Sequence, residues 1–299
     1  MTGRISKSSA VKNIKAGLTV AAALVASSAQ AADPLDGGKL LLTNGATSIE
    51  GSSGGGLTSW AVIAGNETDE GIGLSAHATV VMLPDYRLDT QGIAIGFKDR
   101  LELSYARQNF NTRQVGAALG LGEHFTFNQD IYGAKVRLFG DLVYGPAALP
   151  QVSIGIQHKR SRDAAVVKAV GAASATGTDY TLSAAKLFLA NSILANATVR
   201  LTSANQLGLL GFGTAGRTAK TAQFEGSIAW LLSHRLVVGG EYRTKPNRLA
   251  IAREDDAADL FVAYAVDRHI TVTAAIVDLG SIVTFDGQRG AFLSLQATF

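Results

Sequence analysis

The chain of 299 residues contains no cysteine and only five prolines. The absence of cysteine excludes a disulfide framework, a thiolate metal site and a cysteine nucleophile. Proline removes a ladder hydrogen bond and is excluded from central strands, and all five prolines fall in predicted connections or at strand boundaries. Beyond residue 31 no apolar run approaches the roughly 20 residues of a transmembrane helix, although 47% of the residues are hydrophobic. The apolar residues are dispersed by alternation instead.

The amino terminus has the three-part pattern of a secretory signal peptide. Four basic residues precede a short apolar run at residues 16–26, and small residues follow up to Ala31. We therefore predict a signal peptide at residues 1–31. Its removal leaves 23 basic and 24 acidic residues, which changes the net charge from +3 to −1. The basic balance thus belongs to the export signal, and it does not indicate a nucleic-acid partner.

The carboxy-terminal residues 291–299 alternate with period two, which predicts a strand with one apolar and one polar face. The apolar positions are Ala291, Leu293, Leu295 and Ala297, and Phe292 is the exception on the polar face. The strand ends on the aromatic Phe299 and resembles the final strand of outer-membrane barrels, which the barrel assembly machinery recognises. That resemblance implies the assembly machinery as a partner.

The same alternation recurs along the chain, with charged residues opposite the apolar face. A soluble sandwich and a transmembrane barrel both fit this pattern, because the charges point to water in one and to the lumen in the other. In a barrel the predicted lumen residues are Glu102, Lys135, Arg137, Lys159, Arg200, Glu225, Glu241 and Arg243.

The connections favour the barrel, because short links alternate with long ones as periplasmic turns alternate with external loops. Twelve strands are predicted near residues 72–82, 87–98, 101–110, 129–140, 150–161, 178–188, 194–204, 222–232, 235–244, 258–266, 269–278 and 290–299. Residues 39–43 and 59–64 form either two more strands or a segment inside the lumen. The sequence therefore predicts an all-β transmembrane antiparallel β-barrel of 12 to 14 strands at residues 72–299, preceded by a segment at 32–71.

Four stretches carry a family resemblance: FTFNQDIYGAKVRLFGD at 125–141, KLFLANSILANATVRLTSANQLGLLGFG at 186–213, EYRTKPNRLAIAREDDAAD at 241–259 and RGAFLSLQATF at 289–299. They are similar to the proteobacterial domain of unknown function family 3034, over about residues 37–299. The resemblance implies a bacterial outer-membrane or exported protein whose surroundings are outer-membrane lipid and lipopolysaccharide. It implies no chemistry and no catalytic or ligand residues.

Two predicted external segments, residues 115–121 and 207–212, are apolar and are expected to fold over the mouth or to contact a partner. The candidate mouth residues are Leu119, Leu121, Leu209, Leu210 and Phe212. Packed together, they form either a vestibule for a hydrophobic solute or a plug.

The remaining motifs indicate no enzyme and no cofactor. The five histidines lack metal-ligand spacing, and His158 and Ser161 lie on opposite faces of one strand. Carboxylates cluster at Glu254, Asp255, Asp256 and Asp259, where they form either a solvated loop or a divalent-cation site. The function that we expect is a passive pore or a binding barrel for a small solute; the alternative is a structural or surface-interaction barrel without transport.

Overall fold

The computed structural model describes residues 38–69, 71–251 and 253–299. The predicted signal peptide lies outside the described residues, and its cleavage remains a prediction. In the described ranges no helix is long and apolar enough to cross a bilayer. The two α-helices of these ranges are short, four residues at Val115–Ala118 and six at Ala164–Ala169.

Sixteen strands are present in the described residues, and twelve of them close into one antiparallel barrel. In chain order they are β1 (Ala46–Thr47), β2 (Ser53–Gly54), β3 (Ile72–Met82), β4 (Arg87–Phe97), β5 (Leu101–Asn111), β6 (Thr126–Phe139), β7 (Gln151–Ser161), β8 (Ala172–Ser174), β9 (Thr176–Phe188), β10 (Ile193–Thr202), β11 (Phe212–Thr214), β12 (Thr221–Ser233), β13 (Leu236–Arg243), β14 (Ala257–Ala265), β15 (Ile270–Asp278) and β16 (Arg289–Thr298). The last strand, β16, pairs with β3, so the barrel has no free edge. Two small ladders, β1 with β2 and β8 with β11, are not part of this ring of strands.

The alternation in the sequence sets the two faces of the wall. On β10, Val199 is 46% exposed on the outer face, whereas the neighbouring Arg200 is 1% exposed in the interior. The same arrangement of apolar residues outside and polar residues inside holds around the ring. A closed barrel satisfies every backbone group of its strands within the wall, which is what a β-protein must do in lipid. The protein is therefore a transmembrane β-barrel of twelve strands.

All twelve predicted strands are confirmed, with shifts of up to three residues at their ends. The fourteen-strand alternative is wrong for the described residues. Residues 59–64 do not join the ring, and Ser59 makes only an isolated bridge to Gly54. Residues 39–43 form a turn rather than a strand. Both stretches belong to an amino-terminal segment. Wall side chains bond the backbone of residues 59–64, whereas the backbone of residues 39–43 bonds within its own turn and to Asn66.

Long and short links are segregated to the two ends of the barrel, with two departures from the predicted alternation. We call the end with the long links the mouth and the other end the base. The link at 83–86 is short although it lies at the mouth, and the link at 140–150 is long although it lies at the base. The start of the base link turns inward, where Leu142 packs in a buried cluster with Trp60, whereas residues 144–149 are exposed.

Aromatic side chains stand outward near both rims of the wall. Trp230 and Tyr264 lie near the base, and Tyr180 and Tyr242 lie nearer the mouth. Tyr132 stands outward at mid-strand on β6. All five are exposed on the lipid side, and the four near the rims stand where aromatic rings are expected at the membrane interfaces.

Candidate functional site: the plugged lumen and the mouth cavity

The lumen is filled by residues 43–65, which we call the plug. Every residue of the plug is buried except Ala46, which is half-buried. Its only ladder is the short β1–β2 pair, so most of its backbone groups have no strand partner. A buried amide or carbonyl left unpaired costs about 1–3 kcal/mol. Turns within the plug pair some of these groups, and the inward-facing side chains of the wall pair many of the others.

On one side of the lumen, Glu102 and Lys135 both bind the plug. Lys135 Nζ donates to the carbonyl oxygens of Ser53 at 2.8 Å and Val62 at 2.9 Å. Glu102 accepts hydrogen bonds from the amides of Ser53 and Ala64, at 3.2 and 2.9 Å. Lys135 and Glu102 also pair with each other at 3.4 Å. Their charges are therefore matched, and both side chains hold the plug.

On the opposite wall, Glu241 and Glu225 accept hydrogen bonds from the plug. Glu241 accepts from the Leu57 amide at 2.7 Å and from Thr58 Oγ1 at 2.5 Å. Glu225 accepts from the Ser59 amide at 2.8 Å. The plug can approach this closely because Gly55 lies against Glu241, where any side chain would collide with the carboxylate.

Glu50 of the plug is the centre of a buried ion network. Its carboxylate lies 2.5 Å from Lys159 Nζ, 3.2 Å from Arg200 Nη2 and 3.1 Å from Arg243 Nη2. Two wall carboxylates complete the network: Asp179 pairs with Lys159 at 2.8 Å, and Glu225 pairs with Arg200 at 2.5 Å. Three cations thus face three carboxylates, and one of those carboxylates comes from the plug.

A further carboxylate, Asp259, faces Glu241 across the β13–β14 pair. Both side chains point inward and are buried. No described residue hydrogen-bonds the side-chain oxygens of Asp259, whereas Glu241 is bonded to the plug. The two carboxyl groups therefore share one polar niche beside the plug.

The base of the lumen is closed by a smaller charge cluster. Lys39 Nζ lies 2.9 Å from Asp99 and 3.7 Å from Glu67, and Arg137 also pairs with Asp99. All eight predicted lumen residues thus lie in the interior and are buried. Seven of them bind the plug or each other, Arg137 pairs with Asp99, and none of the eight lines an open pore.

The mouth contains an apolar cavity of about 160 Å³. Four of the five candidate mouth residues line it: Leu119, Leu121, Leu209 and Leu210. The fifth, Phe212, is buried beside it in β11, where it pairs with Ser174 of β8. The wall adds an aromatic surface, with Tyr86 and Phe110 stacked at 5.0 Å between ring centroids.

The floor of the cavity is Ile49, the plug residue that precedes Glu50. Ile49 is fully buried, and its carbonyl oxygen accepts hydrogen bonds from Thr90 at 3.0 Å and Gln108 at 2.8 Å. One peptide unit therefore separates the apolar cavity from the charged network.

Two titratable groups lie under the external loops beside the cavity. Burial raises the pKa of Glu254 from an ordinary 4.5 to about 7, although the nearby cations Lys245 and Arg248 oppose the shift. Burial likewise lowers the pKa of Lys245, which lines the cavity, to about 8. Lys245 Nζ donates to the Leu279 carbonyl at 2.8 Å, and Glu254 accepts from the Gln206 amide at 2.8 Å.

The acidic cluster predicted at residues 254–259 does not converge. Asp255 bonds Ser281, Asp256 bonds Tyr242 and the Lys245 amide, and Asp259 points into the lumen. Across the described ranges no three His, Asp or Glu side chains are grouped to hold a metal ion. His158 is exposed on the outer face, whereas Ser161 is buried inside.

Several site residues escape sequence reasoning. Glu50 and Ile49 precede a glycine- and serine-rich stretch without periodicity, and Tyr86 and Leu279 lie in links. Asp179 did carry a signal, because it is the charged residue on the polar face of β9 next to Tyr180 and Leu182.

Residues 43–296 match the model of a protein family that is described as a protein of unknown function (DUF3034). The chain belongs to this family. The match begins with the plug and runs through the last barrel strand. A comparison with curated proteins found no match.

Several solved structures are similar to this chain at low identity. A KdgM porin is 10% identical, with 75% of this chain and 99% of that chain covered and a TM-score of 0.49. An outer membrane channel from Pseudomonas putida F1 is 12% identical, with 76% and 94% covered and a TM-score of 0.43. Outer membrane phospholipase A from Escherichia coli is 9% identical, with 76% and 91% covered and a TM-score of 0.39.

Removing the charge of Glu50 should loosen the plug. In Glu50→Gln three buried cations face two carboxylates, and breaking a buried pair from one side costs about 3–5 kcal/mol. We expect the free energy of unfolding to fall by that order and thermolysin to cleave within residues 43–65. Glu123→Gln, at an exposed carboxylate of a mouth loop, is the matched control. Equal stability and equal protease resistance in the two variants would contradict the central role of Glu50.

The raised pKa of Glu254, which lies at the mouth, predicts that the stability of the folded protein depends on pH. Between pH 4.5 and about 7 the folded protein retains a proton on Glu254 that the unfolded chain has released, so stability falls as pH rises through this window. We expect the free energy of unfolding to fall by on the order of 1–3 kcal/mol between pH 4.5 and about 7. Unfolding measured between pH 4.5 and 7.5 tests this.

Glu254→Gln mimics the protonated group and should flatten this dependence, whereas Glu123→Gln should leave it intact. Lys245 titrates in a separate window because its lowered pKa is about 8. An unchanged slope in Glu254→Gln would assign the pH dependence to another group.

Proposed function

We propose that this protein is an outer-membrane barrel that binds a small apolar solute in the mouth cavity and admits it when the plug moves. The observation that carries the proposal is the cavity itself, built from loop leucines and wall aromatics above a closed lumen. Long loops face the cell exterior in such barrels and short turns face the periplasm, so the cavity faces outward. No catalytic step and no cofactor are part of the proposal.

The size of the cavity supports a solute no larger than about one ring. An apolar protein cavity of about 150 Å³ stays dry and binds benzene, and this cavity measures about 160 Å³. The polar groups at its edge are already engaged, because Tyr86 Oη donates to the Ile282 carbonyl at 3.1 Å and Lys245 Nζ donates to Leu279. A neutral, apolar solute therefore suits the lining better than a charged one.

The closed lumen argues against a permanently open pore. Every lumen charge that we predicted is engaged with the plug or with an opposite charge, so an ion would meet no hydrated path. Passage of a solute then requires the plug to leave its wall partners. A purely structural barrel, the second candidate, needs no cavity and predicts no uptake.

Filling the cavity should abolish solute binding. Ala257 lines the cavity at the start of β14, and its neighbour Ala258 faces outward. We expect Ala257→Leu to weaken toluene binding at least about tenfold, because the solute loses apolar contacts worth about 1.5–3 kcal/mol. Ala258→Leu adds the same atoms on the lipid side and should have no effect. Isothermal titration of the amphipol-held barrel measures both affinities.

Equal affinities in these two variants would place toluene outside the cavity. If toluene does not bind even to the native barrel, the structural alternative is favoured.

Locking the plug should block passage while leaving binding intact. Thr58 Oγ1 of the plug and Ser227 Oγ of β12 lie 2.7 Å apart, and the chain has no cysteine of its own. In Thr58→Cys/Ser227→Cys a disulfide would join plug and wall. We expect Gram-negative cells with the oxidised double variant to take up labelled toluene no faster than cells without the protein. A reductant should restore the uptake.

The single variant Thr58→Cys is the control and should transport with or without reductant. Full uptake by the oxidised double variant would show that solute passes without plug movement.

A further inference from the structure

A row of basic side chains stands on the outer face of the wall near the mouth. Arg107 of β5, Asp130 of β6 and Arg160 of β7 are consecutive cross-strand partners. Arg162 follows just beyond β7, and its Nε lies 2.6 Å from Asp130. We call Arg107, Arg160 and Arg162 the arginine row.

The row carries more positive charge than its single carboxylate can balance. Asp130 pairs with Arg162 and, at 3.6 Å, with Arg107. Arg160 is exposed, and no described residue forms an ion pair with it. The sector therefore holds three guanidinium groups, and the one carboxylate among them, Asp130, pairs with two.

Aromatic rings lie directly below the row on the same face. Tyr105 donates to Asp130 at 3.0 Å and packs against Tyr132, with ring centroids 5.2 Å apart. Below these rings the outer face is apolar, with Leu103, Ala134 and Ile156 in neighbouring positions. The row thus stands on the mouth side of this aromatic pair and of the apolar wall, in the order in which headgroups follow acyl chains.

Charges at the mouth end of other strands are matched one to one. Arg87 Nη2 lies 2.7 Å from Asp89 on β4, and Arg289 Nε lies 2.6 Å from Asp278 across β15 and β16. The arginine row therefore differs from these two strand-end arginines, each of which lies beside a carboxylate of its own.

We propose that the arginine row binds a phosphate group of a phosphorylated glycolipid of the outer leaflet, such as lipid A. Planar guanidinium groups bind phosphate through paired, charge-assisted hydrogen bonds. A phosphate at this height sits among lipid headgroups, and the acyl chains of its lipid lie along Leu103 and Ile156. This geometry favours a lipid phosphate over a free phosphate ion, because only a lipid also covers the apolar surface below.

The test measures how much lipid A the purified full-length barrel retains. The protein is titrated with lipid A in detergent, and native mass spectrometry detects the bound lipid. In Arg107→Gln/Arg160→Gln/Arg162→Gln we expect roughly tenfold weaker retention or more, because charge-assisted contacts are lost. The matched control Arg87→Gln/Arg289→Gln removes two arginines whose carboxylates lie beside them and should retain lipid A as the native protein does. Heat-modifiable gel mobility verifies that every variant is a folded barrel.

The single variant Arg160→Gln leaves the partners of Asp130 in place and should give a partial loss, which keeps the test valid if the triple variant does not fold. Dephosphorylated lipid A should bind the native protein as weakly as lipid A binds the triple variant. Equal loss in the control pair, or undiminished binding of the dephosphorylated lipid, would overturn the proposal. Displacement of lipid A by millimolar inorganic phosphate alone would identify a general anion site and would overturn the lipid assignment.

Discussion

The structure depends on one constraint: an irregular chain inside a barrel has no neighbouring strand to pair its backbone. The plug meets this constraint with side chains of the wall, since Lys135, Glu102 and Glu241 each bond two or more of its groups. Charged residues are suited to this task because hydrogen bonds to ionised groups are about twice as strong as neutral ones. The polar face of the wall is thus explained by the backbone that it holds.

The same constraint explains why the lumen charges are balanced. An unpaired buried charge is far more costly than an unpaired amide, so each cation that faces the plug needs a carboxylate nearby. The wall alone supplies two carboxylates, Asp179 and Glu225, to the group of three cations around Glu50. Insertion of the plug completes this set, which links its position to the electrostatics of the wall.

The sequence predicted the strands of the barrel well because its period-two pattern is a local property. Each of the twelve strands shows its two faces within about ten residues, so no knowledge of the partner strand was needed. The eight lumen residues followed from the same alternation. The apolar loops were also visible locally, since exposed leucines such as Leu209 and Leu210 are unfavourable in water.

The plug could not be predicted with the same certainty, because its contacts are not local. Glu50 meets Lys159 across 109 positions of sequence, and its own neighbours 51–56 are glycine- and serine-rich and without periodicity. The strand fragments at 39–43 and 59–64 look locally like strands, which left the count open between twelve and fourteen. Only the three-dimensional arrangement shows that wall side chains bond the backbone of 59–64 and that 39–43 forms a turn, so neither stretch adds a strand.

The adjacency of Ile49 and Glu50 connects the two halves of the interior. Ile49 contributes an apolar side chain to the cavity floor, and Glu50 contributes the third carboxylate to the ion network. Buried ion pairs add little net stability compared with apolar packing, so the network is better understood as selecting one plug position. A shift of the plug by one residue in one direction would place Ile49 among three cations, and a shift in the other direction would place Glu50 among leucines and aromatic rings. Both consequences are unfavourable, and together they confine the plug to the register in which the cavity has an apolar floor.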